Sequence, residues 1–258
     1  YRGYPRIVGE TGGKNFHFVH KSANQDVVVT QCIRAAFEYQ GQKCSALSRL
    51  YVPKSMWHGG LKEKLIERTM SLNVGPVQDF KNFVGPVIAK HSFDKIMGLI
   101  EEAKAEGGSV LVGGYGDDTK GYYVQPTIVE TNDPRSVTMV KEIFGPVITV
   151  FAYPDDEVDE TCALVDSTTE YALTGSIFAS ERHALLHISN LLRNASGMMY
   201  YNDKCTGAVV GQQPFGGGRA SGTNDKAGSM NIFFRFVSPR TIKESMLDPA
   251  THLYPSNM

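Results

Sequence analysis

Gly9-Glu10-Thr11-Gly12-Gly13-Lys14-Asn15-Phe16-His17-Phe18-Val19-His20 opens a strand–helix–strand unit, and the rest of the chain repeats that plan. Ile7-Val8 reads as a short strand ended by the glycines at 12 and 13, and Phe16–His20 alternates as a second strand. Asn24 or Asp26 can cap a helix running to about Tyr39, with Val28, Cys32, Ala35, Ala36 and Tyr39 on its inner face. Gly41 stops it, which leaves Cys44 just past a helix C-terminus. Ser48–Val52 is the next strand, and Pro53 opens a helix through about Thr69.

The alternation continues outward. Ser92 is expected to cap an amphipathic helix with Phe93, Ile96, Met97, Ile100 and Ala103 on one stripe, ending at Gly107-Gly108. Strands are expected at 110–112, 123–129, 147–151, 173–178 and 197–201, with helices starting near Asp155 and spanning 181–193. Such a pattern predicts an α/β fold whose mainly parallel sheet is flanked by helices through right-handed crossovers. After Gly222 the pattern changes. The aromatic run Asn231–Val237 reads as a late strand that can pair with another subunit or lie at the edge of the same sheet.

With 258 residues, 41% hydrophobic and 21% charged, the composition is that of a globular protein rather than a disordered one. A net charge of −1 gives no electrostatic footprint for nucleic acid or an anionic membrane, and no run of eighteen apolar residues exists. The four cysteines are scattered without a Cys-x-x-Cys pair, which favours free thiols over a disulfide or zinc framework. The first ten residues carry no initiator Met, basic region or transit-type segment and read as the interior of a longer chain.

Four segments carry chemistry. Cys44 lies in a tight polar loop beside Lys43, whose charge is expected to favour the thiolate, while the preceding helix end opposes ionisation. Cys32 and Cys162, on helical stripes, read as buried and inert, and so does Cys205. Glu10 ends a strand beside two glycines, where a carboxylate can activate water against a thioester or take the thiol proton. Glu142-Ile143-Phe144-Gly145-Pro146 is either a plain turn or a carboxylate placed for ribose hydroxyls. Pro214-Phe215-Gly216-Gly217-Gly218 is a flexible loop or an anion cradle, and neither common nucleotide fingerprint is present.

Taken in order, Glu10-Thr11-Gly12-Gly13-Lys14, Gly41-Gln42-Lys43-Cys44, Glu142–Pro146 and Pro214–Gly217 resemble the aldehyde dehydrogenase superfamily, from about Ile7 to the chain end. Within it, the runs 9–20, 36–46, 210–217 and 219–225 look most like the branch that acts on glutamate γ-semialdehyde. The resemblance implies Cys44 as nucleophile, its N–H in the oxyanion hole, and Glu10 as the carboxylate assisting deacylation. It implies Glu142 and Phe144 at the nicotinamide-side ribose of NAD. It also implies Ser45, Gly207, Ala208 and Phe215 around the amino-acid end and stem of the substrate. Where the family usually has serine, this chain has Ala208, which keeps the backbone N–H but loses a hydroxyl bond of about 1 kcal/mol.

By the same resemblance, residues 1–12 end an NAD-binding domain, 13–222 form the catalytic domain, and 223–258 carry an oligomerisation strand near Phe234 that pairs a homodimer. The family's phosphate turn, adenine-side lysine and oxyanion asparagine would precede Ile7, so the Rossmann-type half is expected to be largely missing and the isolated chain inactive. A mitochondrial matrix location follows from resemblance alone. Two rivals remain: a Cys-His thiol hydrolase using His17 or His20, and a non-catalytic product acting through its late strand.

Overall fold

The computed structural model describes residues 2–247 and 250–258. The first unit is β1 (Asn15–Val19), α1 (Gln25–Phe37) and β2 (Leu47–Pro53). Asn24 caps α1 by accepting the N–H groups of Asp26 and Val27. Next come α2 (Lys54–Met56), α3 (Lys62–Met70), α4 (Lys90–Ala105) and β3 (Ser109–Val112). A small hairpin, β4 (Gly116–Asp117) with β5 (Tyr123–Val124), precedes β6 (Thr127–Thr131) and α5 (Val137–Val140). The last stretch is β7 (Val147–Tyr153), α6 (Val158–Ser167), β8 (Tyr171–Ala172), β9 (Thr174–Phe178), α7 (Arg182–Leu191), β10 (Met198–Tyr201) and β11 (Gly218–Arg219).

Seven strands form one sheet in the order β10-β9-β1-β2-β7-β6-β3, parallel throughout except for the β3–β6 pair at one edge. Both faces are covered, which is why the strands are apolar on both sides. Phe16, Phe18, Tyr51 and Tyr153 pack with Cys162, Val165, Leu185 and Ile188 of α6 and α7. Val19, Leu50, Val52 and Val150 pack instead with Val28, Cys32 and Phe37 of α1 and with Leu65 of α3. Period-two alternation along β1 thus feeds two separate cores.

Several sequence expectations shift. Ile7-Val8 forms no strand; only Glu10 makes a bridge, to Gly222. The 123–129 strand splits into β5 and β6 at Pro126, which has no N–H to donate. Helix α4 starts at Lys90 with Ala89 as cap, and Ser92 instead donates its N–H to Ala89 inside the first turn. The expected oligomerisation strand near Phe234 is absent: Met230–Arg235 is a 3-10 helix. Local bonds satisfy its backbone, because Ser229 accepts the Asn231 N–H and Phe233 O accepts from Phe236 and Val237. A ladder with another strand is therefore not needed there.

Candidate active site

Three of the chemistry-bearing loops enter strands, while the loop with Gly207, Ala208 and Phe215 follows β10. Gly12–Gly13 leads into β1, Cys44 into β2, Glu142–Gly145 into β7 and Leu173 into β9, so they meet at the N-terminal ends of the parallel strands. Helix α1 ends at Phe37, earlier than expected, and Tyr39, Gln40 and Gly41 then take left-handed conformations with φ of 53°, 57° and 65°. Only glycine suits position 41, where a Cβ would lie 2.2 Å from the Gly145 carbonyl oxygen. This bend throws the chain into the turn Lys43–Ala46, closed by the Ala46 N–H donating to Lys43 O at 2.9 Å.

Cys44 is half-buried in that turn, whereas Cys32, Cys162 and Cys205 are buried. Its thiol titrates above the ordinary cysteine range. Burial is the largest cause, followed by the Glu10 charge; the Ser45 N–H works the other way, and Glu142 adds a smaller upward push. The charges of Glu10 and Glu142 therefore both bear on the sulfur. Lys43 does not serve as expected. Its ammonium lies 3.0 Å from Glu38 Oε2, and Lys204 reaches the same oxygen at 3.4 Å. Burial raises the Glu38 carboxyl, but the bonds and charges of Lys43 and Lys204 outweigh this and hold it below the usual range.

Glu142 Oε1 accepts the Gly13 N–H at 2.9 Å, and a Cβ on Gly12 would lie 2.9 Å from Oε2. The double glycine therefore lets the carboxylate seat against bare backbone. Phe144, at φ 58° and 41% exposed, lines the same narrow cleft as Cys44, Glu142 and Ser48. Glu10 is exposed, and its segment is strapped to the chain's later loop: Thr11 N–H donates to Ser221 O at 3.1 Å and Thr223 N–H to Gly9 O at 3.0 Å.

The four residues assigned to substrate are placed unevenly. Ser45 is buried, and its hydroxyl shares a 2.7 Å bond with Thr206. Gly207, at φ +85°, is exposed and Ala208 half-buried directly after Thr206. Phe215 is half-buried and bridged to Ala227 through paired 2.8 Å backbone bonds. The following Gly217 packs on Leu173, whose side chain also flanks Gly13. That contact links the loop after Phe215 to the nucleophile turn.

Sequence reasoning missed Asn15. Buried at the start of β1, its side-chain NH2 donates to Cys44 O (2.8 Å) and Ala46 O (2.7 Å) while its oxygen accepts the Thr174 N–H (3.1 Å). One amide thus pins β1, β9 and the nucleophile turn. The only signal was a polar residue opening an apolar strand, which demands internal partners. Thr206 was missed for want of any local signature. The histidines of the hydrolase rival are spent elsewhere. His17 Nδ1 meets Cys32 Sγ at 3.4 Å and its Nε2 accepts the Cys205 N–H at 3.3 Å, while His20 bonds Ser22. Among the described residues no cluster is arranged to hold a metal, and no helix is long and apolar enough to cross a membrane.

Known proteins resemble this chain in sequence and fold. The aldehyde dehydrogenase family profile matches residues 2–242. An Agaricus bisporus protein named delta-1-pyrroline-5-carboxylate dehydrogenase is 58% identical over 258 residues, covering 100% of this chain and 47% of its own length. The human protein named delta-1-pyrroline-5-carboxylate dehydrogenase, mitochondrial, is 51% identical over 94% of this chain and 43% of its own length. The crystal structure of the Mycobacterium tuberculosis delta-pyrroline-5-carboxylate dehydrogenase with NAD and cobalamin superposes with a TM-score of 0.89 at 45% identity, over 99% of this chain and 47% of that one. The chain spans about half the length of the curated relatives it matches.

Proposed function

The chain belongs to the aldehyde dehydrogenase family, and from that premise we propose that it is the catalytic part of an enzyme oxidising L-glutamate γ-semialdehyde, the open form of pyrroline-5-carboxylate, to L-glutamate with NAD. The observation that carries this reading is the setting of Cys44. Of the four cysteines it alone is not buried, and the charges of Glu10 and Glu142 both reach it.

The Cys44 thiolate adds to the aldehyde carbon, and the Cys44 N–H stabilises the alkoxide that forms. The raised thiol needs a base, and Glu10, whose charge bears more on the thiol than that of Glu142, takes its proton. NAD, when bound, accepts the hydride, leaving the acyl group as a thioester on Cys44. Glu10, having passed the first proton to solvent, takes a proton from water as it attacks the thioester; the carboxylic acid leaves and the sulfur is restored as the thiolate. The residues fit NAD on this structure's own terms. Glu142 has one oxygen fixed by the Gly13 N–H and the other without a donor among the described residues, as a ribose hydroxyl requires, with the exposed Phe144 ring alongside. Gly207 and Ala208 offer backbone to the substrate carboxylate, Phe215 flanks its stem, and Ser45 shapes the wall through Thr206.

The mitochondrial name of the human relative supports a matrix location. Exposed Phe233, Phe234 and Phe236 support self-association without the expected strand. The test is NAD reduction with glutamate γ-semialdehyde by the chain alone and by the chain fused to the unmatched portion of the Agaricus bisporus relative. Activity of the fusion that vanishes in Cys44→Ala is expected. A fusion that folds and binds NAD yet leaves the semialdehyde untouched refutes the substrate assignment.

A further inference from the structure

The turn that carries Cys44 is held on one side by Asn15 and on the other by residues 204–206. Ser45, directly after the nucleophile, is gripped at two points there. Its carbonyl accepts the Cys205 thiol at 3.4 Å, a weak donor, and the Thr174 hydroxyl at 3.4 Å, which is long for an oxygen pair. Its hydroxyl meets Thr206 Oγ1 at 2.7 Å, the short bond of the set. Ser45 is 6% exposed and Thr206 2%, so water does not compete for that bond. A second tie joins the same two segments: Lys43 and Lys204 share Glu38. That tie is partly exposed and correspondingly weak.

We propose that Thr206 is a positioning residue for the nucleophile: its hydroxyl fixes Ser45, the residue bonded directly to Cys44, and so the setting of the thiol. The anchor is firm at its far end. The Cys205 N–H donates to the buried His17 of β1, so the sheet itself holds residues 205–206 in place. Force passes from β1 through Cys205 and Thr206 to Ser45, and from there to the thiol. Gly207 and Ala208 follow Thr206 immediately, so the same hydroxyl keeps the nucleophile in register with the segment assigned to the substrate carboxylate. The proposal rests on the reading above only in taking Cys44 as the nucleophile.

The test is alkylation of Cys44 by iodoacetamide across pH, followed by peptide mass mapping in the full 258-residue chain, with the three buried cysteines as internal reference. Thr206→Val removes the hydroxyl and keeps the shape. With Ser45 free to turn its N–H away, the thiol titrates higher, and alkylation at pH about 7.5 slows about 3- to 10-fold, converging on the parent rate in strong base. Thr206→Ser restores the parent profile. Ser45→Ala removes the other end of the same bond and gives the same shift, and the double variant is no slower than either single one. If Thr206→Val does not fold, Ser45→Ala decides the question alone. A parent-like profile in a folded Thr206→Val or Ser45→Ala overturns the proposal, as does a Thr206→Ser that stays slow. Faster labelling of all four cysteines overturns it too, because that marks general loosening. Absence of NAD-linked turnover in the fusion would leave these profiles unaffected, so the two readings fail separately.

Discussion

Replacing Gly13 by alanine puts a methyl where the structure has only backbone. The added Cβ would lie 2.5 Å from Cys44 O, 3.0 Å from Asn15 Oδ1 and 3.1 Å from the Leu173 side chain. Ordinary contact begins near 3.4 Å, so the Cys44 carbonyl or β1 must give by about 0.9 Å. The carbonyl is not free to do so, since Asn15 holds it at 2.8 Å and is itself tied to Ala46 and Thr174. Overpacking of this kind costs about 1–3 kcal/mol. A nucleophile displaced by close to 1 Å loses on the order of 100-fold in rate. Denaturant unfolding of the chain reads the first quantity. Turnover of the fusion with glutamate γ-semialdehyde reads the second, with the loss expected in kcat more than in KM. Gly98→Ala is the matched control, because beyond the backbone of helix α4 itself and its chain neighbours no described residue lies within 4 Å of its Cβ position. It should stabilise the chain by about 0.5–1 kcal/mol and leave turnover alone. A Gly13→Ala chain with parent stability and parent turnover would refute the claim that bare backbone at position 13 sets where Cys44 sits.

Glu10→Gln should move two assays in opposite directions. Loss of its charge lowers the Cys44 thiol toward the ordinary range and speeds alkylation near neutral pH several-fold, while turnover falls because the base for deacylation is gone. Parallel changes in both would show that Glu10 does not act on Cys44 electrostatically. Lys43→Gln should leave the alkylation midpoint within about 0.3 of the parent, since Lys43 is spent on Glu38; a clear upward shift would restore the simpler reading of Lys43 as thiolate partner. His17 is buried and held down to about 3 by desolvation, against an ordinary value of 6.5. The unfolded chain therefore binds a proton below pH 6.5 that the folded chain refuses until about pH 3, and stability should fall by a few kcal/mol across that window on acidification. Thermal melts of His17→Gln should show a shallower acid limb than the parent, and an unchanged slope would mean that His17 is not the group responsible.

The sheet was legible because its strands obey period two and its helices carry clear apolar stripes. β1, α1, β2, β7, β9, α7 and β10 all lie where the pattern puts them, within a few residues. What escaped was governed by bonds between distant segments. The 231–237 run has every property of a strand except a neighbour, and local turn bonds took its backbone instead. The positions of Cys44 and Glu142 were readable from their glycine-rich loops. The grip of Asn15 and Thr206 on that turn was not, because each acts on residues about 30 and about 160 positions away. Lys43 shows the converse error: adjacency in sequence suggested an ion pair that geometry gives to Glu38.

The placement of Gly13, Cys44 and Glu142 at the entrances to strands has an electrostatic consequence. In a parallel β-α arrangement the helices return to that face with their C-termini, and α1, α6 and α7 end just upstream of Cys44, β9 and β10. The face is thus bordered by carbonyl ends carrying partial negative charge, with two carboxylates added. A thiolate is disfavoured there, in keeping with the high titration of Cys44. A pyrophosphate is disfavoured for the same reason, since it seeks the N–H ends of helices. The face that raises the Cys44 thiol is thereby also a poor seat for phosphate groups.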